Sequence, residues 1–451
     1  MRGPFILDLS MSYAAAIGQL NAMVPELYKG AGHPRRKFSL DEIRTLLSVL
    51  GNPHLTFPSV LIAGTNGKGS TASTLASILK ASGLRTGLYT SPHLERPNER
   101  IRIDGAEIDD ATFARFYFQV QDTALQLVLD KRLPQMPSYF ELLTALAFLY
   151  FAESKIQFAV LEVGMGGRLD ATNIVEPVIS IVTDISLDHM EWLGTTISAI
   201  AREKAGILRP GGTMITLPQH PEANQALGEV AIELQVKGVS AAPYVPAAGT
   251  VGPYRVEVQG EPISVESPLA GEHQHRNVAL AIAAAVELAT NHGFRITPAA
   301  VAEGIRLTSW PGRLERFESA GKTWVLDVAH NPAGAWALRS GLRAFLQDER
   351  PRTLIFSCLR DKPVAEMAQI LFPLFDRVIL APIHTSRATS VEDLTAAAKA
   401  TGSEAETVES VHEAIERAEK DAVDGVIVIS GSVYLVGEAR ALLMSGQGAR
   451  T

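Results

Sequence analysis

Residues 59–82 read SVLIAGTNGKGSTASTLASILKAS, and this stretch decides the fold class. The apolar run 59–63 predicts a buried strand, residues 64–69 form a glycine-rich loop, and the pattern from Ser70 onward predicts a helix to about residue 82. Glycines let backbone N–H groups approach phosphate oxygens, and the N-terminus of the following helix adds a positive dipole. The order strand, loop, helix therefore predicts a phosphate-binding loop.

The side chains of this loop favour a nucleotide over a plain turn. Lys68 would reach the terminal phosphates of ATP, and Ser70 would offer its hydroxyl to Mg²⁺. The loop departs from the general P-loop pattern, because a glycine stands between the lysine and the hydroxyl residue. The residues expected to bind the nucleotide here are Thr65, Asn66, Gly67, Lys68, Gly69 and Ser70.

Strand-like and helical patterns alternate along nearly the whole chain, which predicts an α/β fold with largely parallel sheets. Segment 254–268 differs and resembles a hairpin. The breaker cluster at residues 310–313 predicts a domain boundary, and the alternation restarts after it. We therefore predict a P-loop α/β domain over residues 1–312 and a C-terminal Rossmann-like α/β domain over residues 313–451. The inserted glycine of the phosphate loop makes the first of these resemble the central domain of the Mur-ligase superfamily.

Composition narrows the classes of function. The chain has 451 residues and a net charge of −8, and a general nucleic-acid binder usually shows a basic excess instead. No signal peptide is recognisable, and the longest apolar run, residues 278–286, is too short to span a bilayer. The single cysteine, Cys358, excludes an internal disulfide and reads as a buried strand thiol. We expect a monomer in the cytoplasm, without nucleic-acid or membrane partners.

Several residues near predicted strand ends could carry chemistry. Glu162 ends a strand at the start of a glycine-rich segment, and the carboxyl ends of parallel strands are where open α/β sheets bind ligands. His189 follows the next strand, although a lone histidine is normally uninformative. Ser91 could give a metal oxygen or only form a turn. Lys204 lies on a predicted helix beside Glu203, where such a pair is usually only solvated charge.

Together these segments resemble the folylpolyglutamate synthase/dihydrofolate synthase family of the Mur-ligase superfamily, whose members ligate L-glutamate to dihydropteroate or to folates. The two specific segments are residues 162–173, EVGMGGRLDATN, and residues 327–332, DVAHNP. The corroborating segments are the phosphate loop, Ser91-Pro92-His93-Leu94, Glu99-Arg100-Ile101, Tyr139-Phe140-Glu141, Asp188-His189, Glu203-Lys204-Ala205-Gly206-Ile207, His273-Gln274 with Asn277, Pro311-Gly312-Arg313, Asp361-Lys362 and Gly431-Ser432.

The resemblance implies roles for individual positions. It implies that Ser91, Glu162 and His189 hold one Mg²⁺, that Ser70 holds a second near ATP, and that Lys204 is carbamylated. A carbamate would turn a cation into an anionic oxygen ligand for the metal. The catalytic residues implied are Lys68, Glu162, His189 and Lys204. The further nucleotide contacts implied are Asn277, Arg313 and Asp327.

Four residues are predicted to contact the substrates. His330 and Ser432, at ends of predicted C-terminal strands, are hypothesised to bind the incoming glutamate. Phe140 is hypothesised to stack on the pteridine, although an ordinary core phenylalanine is nearly as good an interpretation. Asp170, in the glycine-rich segment, is assigned to the substrate site as well. The basic segment 28–38 is read as a solvated loop by default, with substrate contact as the alternative.

The predicted reaction is the ligation of L-glutamate to dihydropteroate, tetrahydrofolate or both, through an acyl phosphate, with the bifunctional enzyme as the main prediction. A peptidoglycan-precursor ligase is the nearest alternative, but the segment before the phosphate loop is short and helical, which leaves no additional α/β domain there for a UDP group. A P-loop switch protein would not explain the group of Glu162, His189 and Lys204. A dehydrogenase is disfavoured, because no dinucleotide glycine fingerprint follows the C-terminal strands.

Overall fold

The computed structural model of the protein describes residues 11–23, 39–319, 321–343, 351–421 and 425–448. The basic segment 28–38 lies outside the described residues, so its substrate role stays a prediction. Within the described ranges, no helix combines the length and the apolar character needed to cross a bilayer.

The first sheet has eight strands and surrounds the phosphate loop. The strands are β1 Ser59–Ala63, β2 Thr86–Tyr89, β3 Ile101–Ile103, β4 Ala106–Glu107, β5 Phe158–Glu162, β6 Ile179–Val182, β7 Thr213–Thr216 and β8 Lys237–Ser240. Their order is β4-β3-β2-β5-β1-β6-β7-β8. All neighbours from β2 to β8 are parallel, whereas β3 and β4 form an antiparallel edge. The predicted parallel α/β architecture is therefore confirmed for this part of the chain.

Helices cover both faces of this sheet, which explains why its central strands are continuous apolar runs. In β1, Leu61 and Ala63 enter one core, while Val60 and Ile62 enter the other. The helices are α1 Tyr13–Ala22, α2 Leu40–Val49, α3 Lys68–Ala81, α4 Asp110–Leu129, α5 Tyr139–Glu153, α6 Met190–Leu193, α7 Ile197–Ala205, α8 Pro221–Glu233, α9 Glu272–Asn291 and α10 Pro298–Arg306.

The predicted hairpin is confirmed as an antiparallel pair, β9 Tyr254–Val258 and β10 Glu261–Val265. Its turn has positive φ angles at Gln259 and Gly260, the backbone region that two-residue hairpin turns require. One face of the pair is apolar: Val256 and Val265 both belong to the core that α9 and α10 share with the first sheet.

The second sheet has six strands. They are β11 Glu315–Ser319, β12 Lys322–Leu326, β13 Arg352–Phe356, β14 Arg377–Leu380, β15 Ala405–Thr407 and β16 Val426–Ser430, in the order β11-β12-β16-β13-β14-β15. All are parallel except β11, which pairs antiparallel with β12 at the edge. Its helices are α11 Pro332–Leu342, α12 Val364–Leu371, α13 Val391–Thr401, α14 Val411–Asp421 and α15 Val433–Gly448.

Several boundaries differ from the sequence-based predictions. Helix α9 begins at Glu272, four residues before its predicted start at residue 276, so the segment around His273 is helical. The helix α15 was not predicted at all. Glycines at positions 437 and 446 interrupt its helical pattern, and glycine is about 1 kcal/mol worse than alanine inside a helix. Here packing against the rest of the protein overrides the local preference.

A paired glycine substitution tests how closely α10 packs on α3. A Cβ atom at Gly304 would lie 2.3 Å from Ile78 Cα, whereas one at Gly228 in α8 would meet nothing within 4 Å. We expect Gly304→Ala to lower the free energy of unfolding by about 1–3 kcal/mol, because a backbone atom cannot move aside easily. Gly228→Ala should raise it by about 0.5–1 kcal/mol. Urea unfolding of both variants measures this, and equal effects would contradict the packing argument.

Candidate active site

The phosphate loop lies between β1 and the first turn of α3, and close contacts shape it. Gly67 has a φ of +86°, and a Cβ atom there would lie 2.1 Å from Asn277 Oδ1. A Cβ atom on Gly69 would lie 2.8 Å from the Trp310 ring. The glycine between the lysine and the hydroxyl residue, the departure noted in the sequence, is therefore the position where Trp310 packs on the loop. The loop is built for close approach by its neighbours.

Two lysines converge on one carbonyl of this loop. Lys68 Nζ donates to Gly64 O at 3.1 Å and to Thr65 O at 3.3 Å, and Lys204 Nζ donates to Gly64 O at 2.7 Å. Lys204 is buried, and this burial, together with the charge of Lys68, lowers the pKa of Lys204 to about 7. The interpretation of Lys204 as solvated charge is therefore wrong. Its neighbour Glu203 pairs instead with Arg168 at 2.9 Å.

Glu162 lies at the carboxyl end of β5, as the strand pattern predicted. Its side chain is buried, and its Oε2 accepts a hydrogen bond from Ser91 N at 3.0 Å. Burial raises the pKa of Glu162, while the positive charge of Lys68 opposes that rise. The backbone of Ser91 and the carboxylate of Glu162 are thus joined at the edge where β2 and β5 both end.

A polar cluster joins the loop after β6 to the second sheet. Asp188 Oδ1 accepts a hydrogen bond from Lys362 Nζ at 2.6 Å, and its Oδ2 accepts one from Asn331 Nδ2 at 3.3 Å. His189 Nε2 and His330 Nε2 each lie 3.9 Å from Asp188 Oδ2. Burial lowers the pKa of both imidazoles to about 4. Both rings are therefore neutral near pH 7 and have lone pairs free for a ligand.

A cavity of about 380 Å³ lies beside this cluster and is lined by both parts of the chain. Six of the predicted site residues line it: Ser91, Phe140, Asp170, His189, His330 and Ser432. Three predicted residues are absent from its wall: Lys68 belongs to the phosphate loop itself, and Glu162 and Lys204 lie next to that loop. Volumes of this order are typical of small-molecule sites. The arrangement offers a substrate cavity on one side and a phosphate loop on the other.

Two of the lining residues also have internal contacts. The Asp170 carboxylate accepts hydrogen bonds from Met165 N at 3.0 Å and from Thr172 Oγ1 at 2.6 Å, so it fastens the glycine-rich segment. Phe140 is half-buried, its ring packs on Gly164, and its centroid lies 5.9 Å from that of Tyr89. Phe140 is thus at once a packing residue and part of the cavity wall.

The predicted nucleotide contacts are distributed between α9 and the junction of the two sheets. Asn277 is buried, and its Nδ2 donates to Gln274 Oε1 at 2.8 Å. Asp327 accepts hydrogen bonds from Leu314 N and Ala329 N, both at 2.9 Å. Burial lowers the pKa of Arg313, and the nearby carboxylate of Asp327 opposes that change. Of these residues, Asn277 is the one that directly contacts the phosphate loop.

Some residues at the site have no role in the sequence-based predictions. Arg100 Nε donates to His93 Nδ1 at 2.9 Å, and burial lowers the pKa of His93 to about 3. Both residues stand in segments that support the family resemblance, residues 91–94 and 99–101, and those segments are the sequence signal from which the pair could have been predicted. Arg387 and Tyr434 also line the cavity. No local pattern in the sequence marks Arg387, because its place depends on the folding of the second sheet.

Comparison with known proteins identifies the family. The Mur ligase middle domain family matches residues 62–285, and the Mur ligase glutamate ligase domain family matches residues 312–433. Folylpolyglutamate synthase of Lacticaseibacillus casei is 36% identical over 447 residues, covering 97% of this chain and 100% of the relative. The chain belongs to the folylpolyglutamate synthase/dihydrofolate synthase family. It is accordingly an ATP-dependent ligase that adds glutamate to folate-type carboxylates.

Other family members agree with this assignment. The dihydrofolate synthase/folylpolyglutamate synthase of Mycobacterium tuberculosis is 37% identical over 440 residues, which are 90% of each chain. A structure of the folylpolyglutamate synthase from that organism in complex with ADP aligns with a TM-score of 0.84 at 35% identity, covering 95% of this chain and 98% of the other. The E. coli FolC complex with DHPP and ADP aligns with a TM-score of 0.82 at 28% identity, covering 97% and 98%. The peptidoglycan-precursor alternative is therefore wrong.

Proposed function

We propose that this protein ligates L-glutamate to both dihydropteroate and tetrahydrofolate, with ATP as the source of energy. The observation that carries the proposal is the cavity shared by the two sheets, beside a phosphate loop whose carbonyl at Gly64 is contacted by Lys68 and Lys204. Relatives that are named for both activities, the dihydrofolate synthase/folylpolyglutamate synthases of Mycobacterium tuberculosis and Bacillus subtilis, support the bifunctional proposal. We also propose the division into domains 1–312 and 313–451, and a monomer in the cytoplasm.

ATP is proposed to bind on the phosphate loop. The backbone N–H groups of the loop and the N-terminus of α3 supply fixed positive dipoles for the phosphates. Lys68 has to leave its carbonyl partners to contact the terminal phosphate. Arg313 and Asp327 would contact the nucleotide from the junction of the sheets, while Asn277 would do so from α9. The residues from Thr65 to Ser70 complete this proposed nucleotide site.

The donor set fits Mg²⁺ if Lys204 is carbamylated. Among the described residues, no three His, Cys, Asp or Glu side chains come together in a way that could hold a metal ion. Glu162 and His189 alone provide one carboxylate and one imidazole, and Ser91 adds a hydroxyl. Mg²⁺ needs oxygen ligands and usually takes part of them from substrate phosphates. A carbamate on the buried Lys204 would add the missing anionic oxygen, and the metal would neutralise charge on the transferring phosphate.

The substrates are proposed to occupy the cavity. Phe140 would present its ring to the pteridine, with Asp170 keeping the glycine-rich segment in place beneath it. His330 and Ser432 would contact the incoming glutamate. Burial lowers the pKa of His330 to about 4, so its ring is neutral near pH 7, and its Nδ1 lies 2.9 Å from Val328 O. The other ring nitrogen, Nε2, would accept a hydrogen bond from the amine of glutamate.

The proposed reaction has two steps. The carboxylate of the folate attacks the γ-phosphorus of ATP, the bond to the bridging oxygen of ADP breaks, and an acyl phosphate forms. The amine of glutamate then attacks the acyl carbon, phosphate leaves, and an amide remains. Lys68 and the loop amides stabilise charge on the phosphate oxygens. Because phosphoryl transfer needs little covalent help, positioning across the two sheets should dominate.

A phosphate-release assay tests the proposal. We would measure phosphate with ATP, Mg²⁺ and glutamate, adding dihydropteroate, tetrahydrofolate or no acceptor. The expected result is release with each acceptor and little without one. Release with one acceptor alone would assign a single activity and contradict the bifunctional proposal. Equal release in all three arms would show hydrolysis of ATP without ligation.

A further inference from the structure

The loop that follows β2, residues 91–99, lies directly against α15 of the second sheet. A Cβ atom at Gly437 would lie 2.0 Å from Leu94 O, so the helix backbone and the loop backbone are in contact. The Leu94 side chain packs into the core formed by the second sheet and α15. Ser432 and Tyr434, at the start of α15, line the substrate cavity. One helix therefore contacts both the loop and the cavity.

Arg440 lies three residues after Gly437, on the same face of α15. Its Nη1 donates to Glu95 Oε1 at 2.7 Å, and its Nε lies 3.1 Å from both carboxylate oxygens of Glu315. Glu315 Oε2 in turn accepts a hydrogen bond from Gly312 N at 2.8 Å. The guanidinium of Arg440 thus joins Glu95, in the loop after β2, to Glu315, whose carboxylate also binds the backbone of Gly312 at the junction between the two sheets.

The loop is stiff enough to transmit this contact. The Glu99 carboxylate accepts hydrogen bonds from the backbone N–H groups of Leu94, Glu95 and Arg96, at 2.8, 2.7 and 2.7 Å. At the other end of the loop, Ser91 N donates to Glu162 Oε2. A displacement of Glu95 therefore moves a segment whose start is fastened to the buried carboxylate at the end of β5.

We propose that Arg440 is a positioning residue for the ligase reaction: by joining Glu95 to Glu315, it holds the 91–99 loop against α15 and fixes Ser91 relative to the cavity wall of the second sheet. The inference rests on the proposed function, since the ligation needs the residues on the two sides of the cavity to be held at fixed positions relative to each other. The guanidinium of Arg440 holds its N–H donors in a rigid plane, so it fixes the directions of both carboxylates, whereas the donors of a lysine ammonium rotate freely and would fix them less well.

If Arg440 only stabilised the fold, its loss would change Tm and leave the kinetics of the folded enzyme unchanged. A positioning role predicts the opposite, a small change in Tm and a large change in kcat/KM. The side chains of Arg440, Glu95 and Glu315 are 24%, 32% and 21% exposed. Because solvent screens ion pairs that are partly exposed, the loss of Arg440 should shift Tm by no more than about 2–4 °C. Misplacement of reacting groups, by contrast, lowers rates strongly. We therefore expect Arg440→Ala to lower kcat/KM for the folate acceptor roughly tenfold, while the Kd for ADP changes by less than about twofold, because the phosphate loop is untouched.

The experiment compares Arg440→Ala, Arg440→Lys, Glu95→Ala and the double variant Arg440→Ala/Glu95→Ala. The matched control is Arg115→Ala, which removes another Arg–Glu pair between two elements, with Nη1 and Nη2 3.0 and 2.6 Å from the Glu153 carboxylate oxygens. Each protein is measured for kcat and KM with the acceptor that the wild type uses, for ADP binding, for Tm and for hydrogen exchange of the amides at residues 94–96.

The proposal expects a partial recovery in Arg440→Lys, a double variant no worse than Arg440→Ala alone, and faster exchange at residues 94–96 only in the Arg440 and Glu95 variants. Wild-type kcat/KM in Arg440→Ala would overturn it, and so would additive losses in the double variant or equal losses in Arg115→Ala. Hydrogen exchange does not require ligase activity. An inactive wild type would therefore disprove the proposed function, while unchanged exchange in Arg440→Ala would separately disprove the loop contact.

Discussion

Replacing Lys68 by alanine should lower kcat about 10²- to 10³-fold, which corresponds to about 3–4 kcal/mol of lost transition-state stabilisation. Its ammonium is the positive side chain carried by the phosphate loop itself, and it lies close enough to Glu162 to oppose the rise in the pKa of that carboxyl that burial causes. Charge on the transferring phosphate develops mainly in the transition state, so kcat should fall more than the affinity for ATP.

The measurement is a steady-state comparison of kcat and KM for ATP, together with the Kd for ADP. Lys80→Ala is the matched control, because Lys80 is exposed in the last turn of the same helix α3. It removes the same charge at a distance from the loop and should leave kcat within about twofold. A Lys68→Ala enzyme that kept its kcat and lost only ADP affinity would contradict a role in the transition state.

The architecture was largely predictable because its signals are local. Strand β1 has the bounds that its apolar run predicted, and the hairpin β9–β10 follows from its turn residues. Parallel strands that are buried on both faces are continuous apolar runs, and such runs can be recognised directly in the sequence. The helix α15 was not predicted because Gly437 lowers its helical propensity. That glycine is required by a contact with Leu94 in another segment, and such a contact leaves no periodic pattern in the sequence.

The site was predictable only in part, for a related physical reason. Strand ends and glycines placed Glu162 and the phosphate loop, but the sequence around Lys204 is that of a solvated helix, and only the family resemblance gave it a role. Lys204 is buried because the fold brings α7 against the phosphate loop, where its Nζ donates to Gly64 O. The contact between Asp188 and Lys362 spans 174 positions, and no spacing rule connects residues that far apart. Tertiary contacts of this kind were beyond sequence reasoning.

Lys204→Ala should reduce kcat about 10²- to 10³-fold if the proposed carbamate supplies a metal ligand. The neutral amine is the form that reacts with CO₂, and burial has lowered the pKa of Lys204 to about 7. At a fixed CO₂ pressure, carbamate formation should therefore rise from about pH 6 to about pH 8, as the protonated amine is converted into the neutral form. Lys204→Arg should be as inactive as alanine, because a guanidinium remains protonated and forms no carbamate.

Wild-type enzyme prepared in CO₂-free buffer should lose activity and recover it when bicarbonate is added, and neither Lys204 variant should respond. Arg202→Ala is the control, since Arg202 is exposed on the same helix and pairs with Glu229. Activity that is independent of CO₂, or a Lys204→Arg enzyme with wild-type kcat, would contradict the carbamate. In either case Ser91, Glu162 and His189 would be the protein ligands that remain for this Mg²⁺, and its other oxygen ligands would have to come from the nucleotide and water.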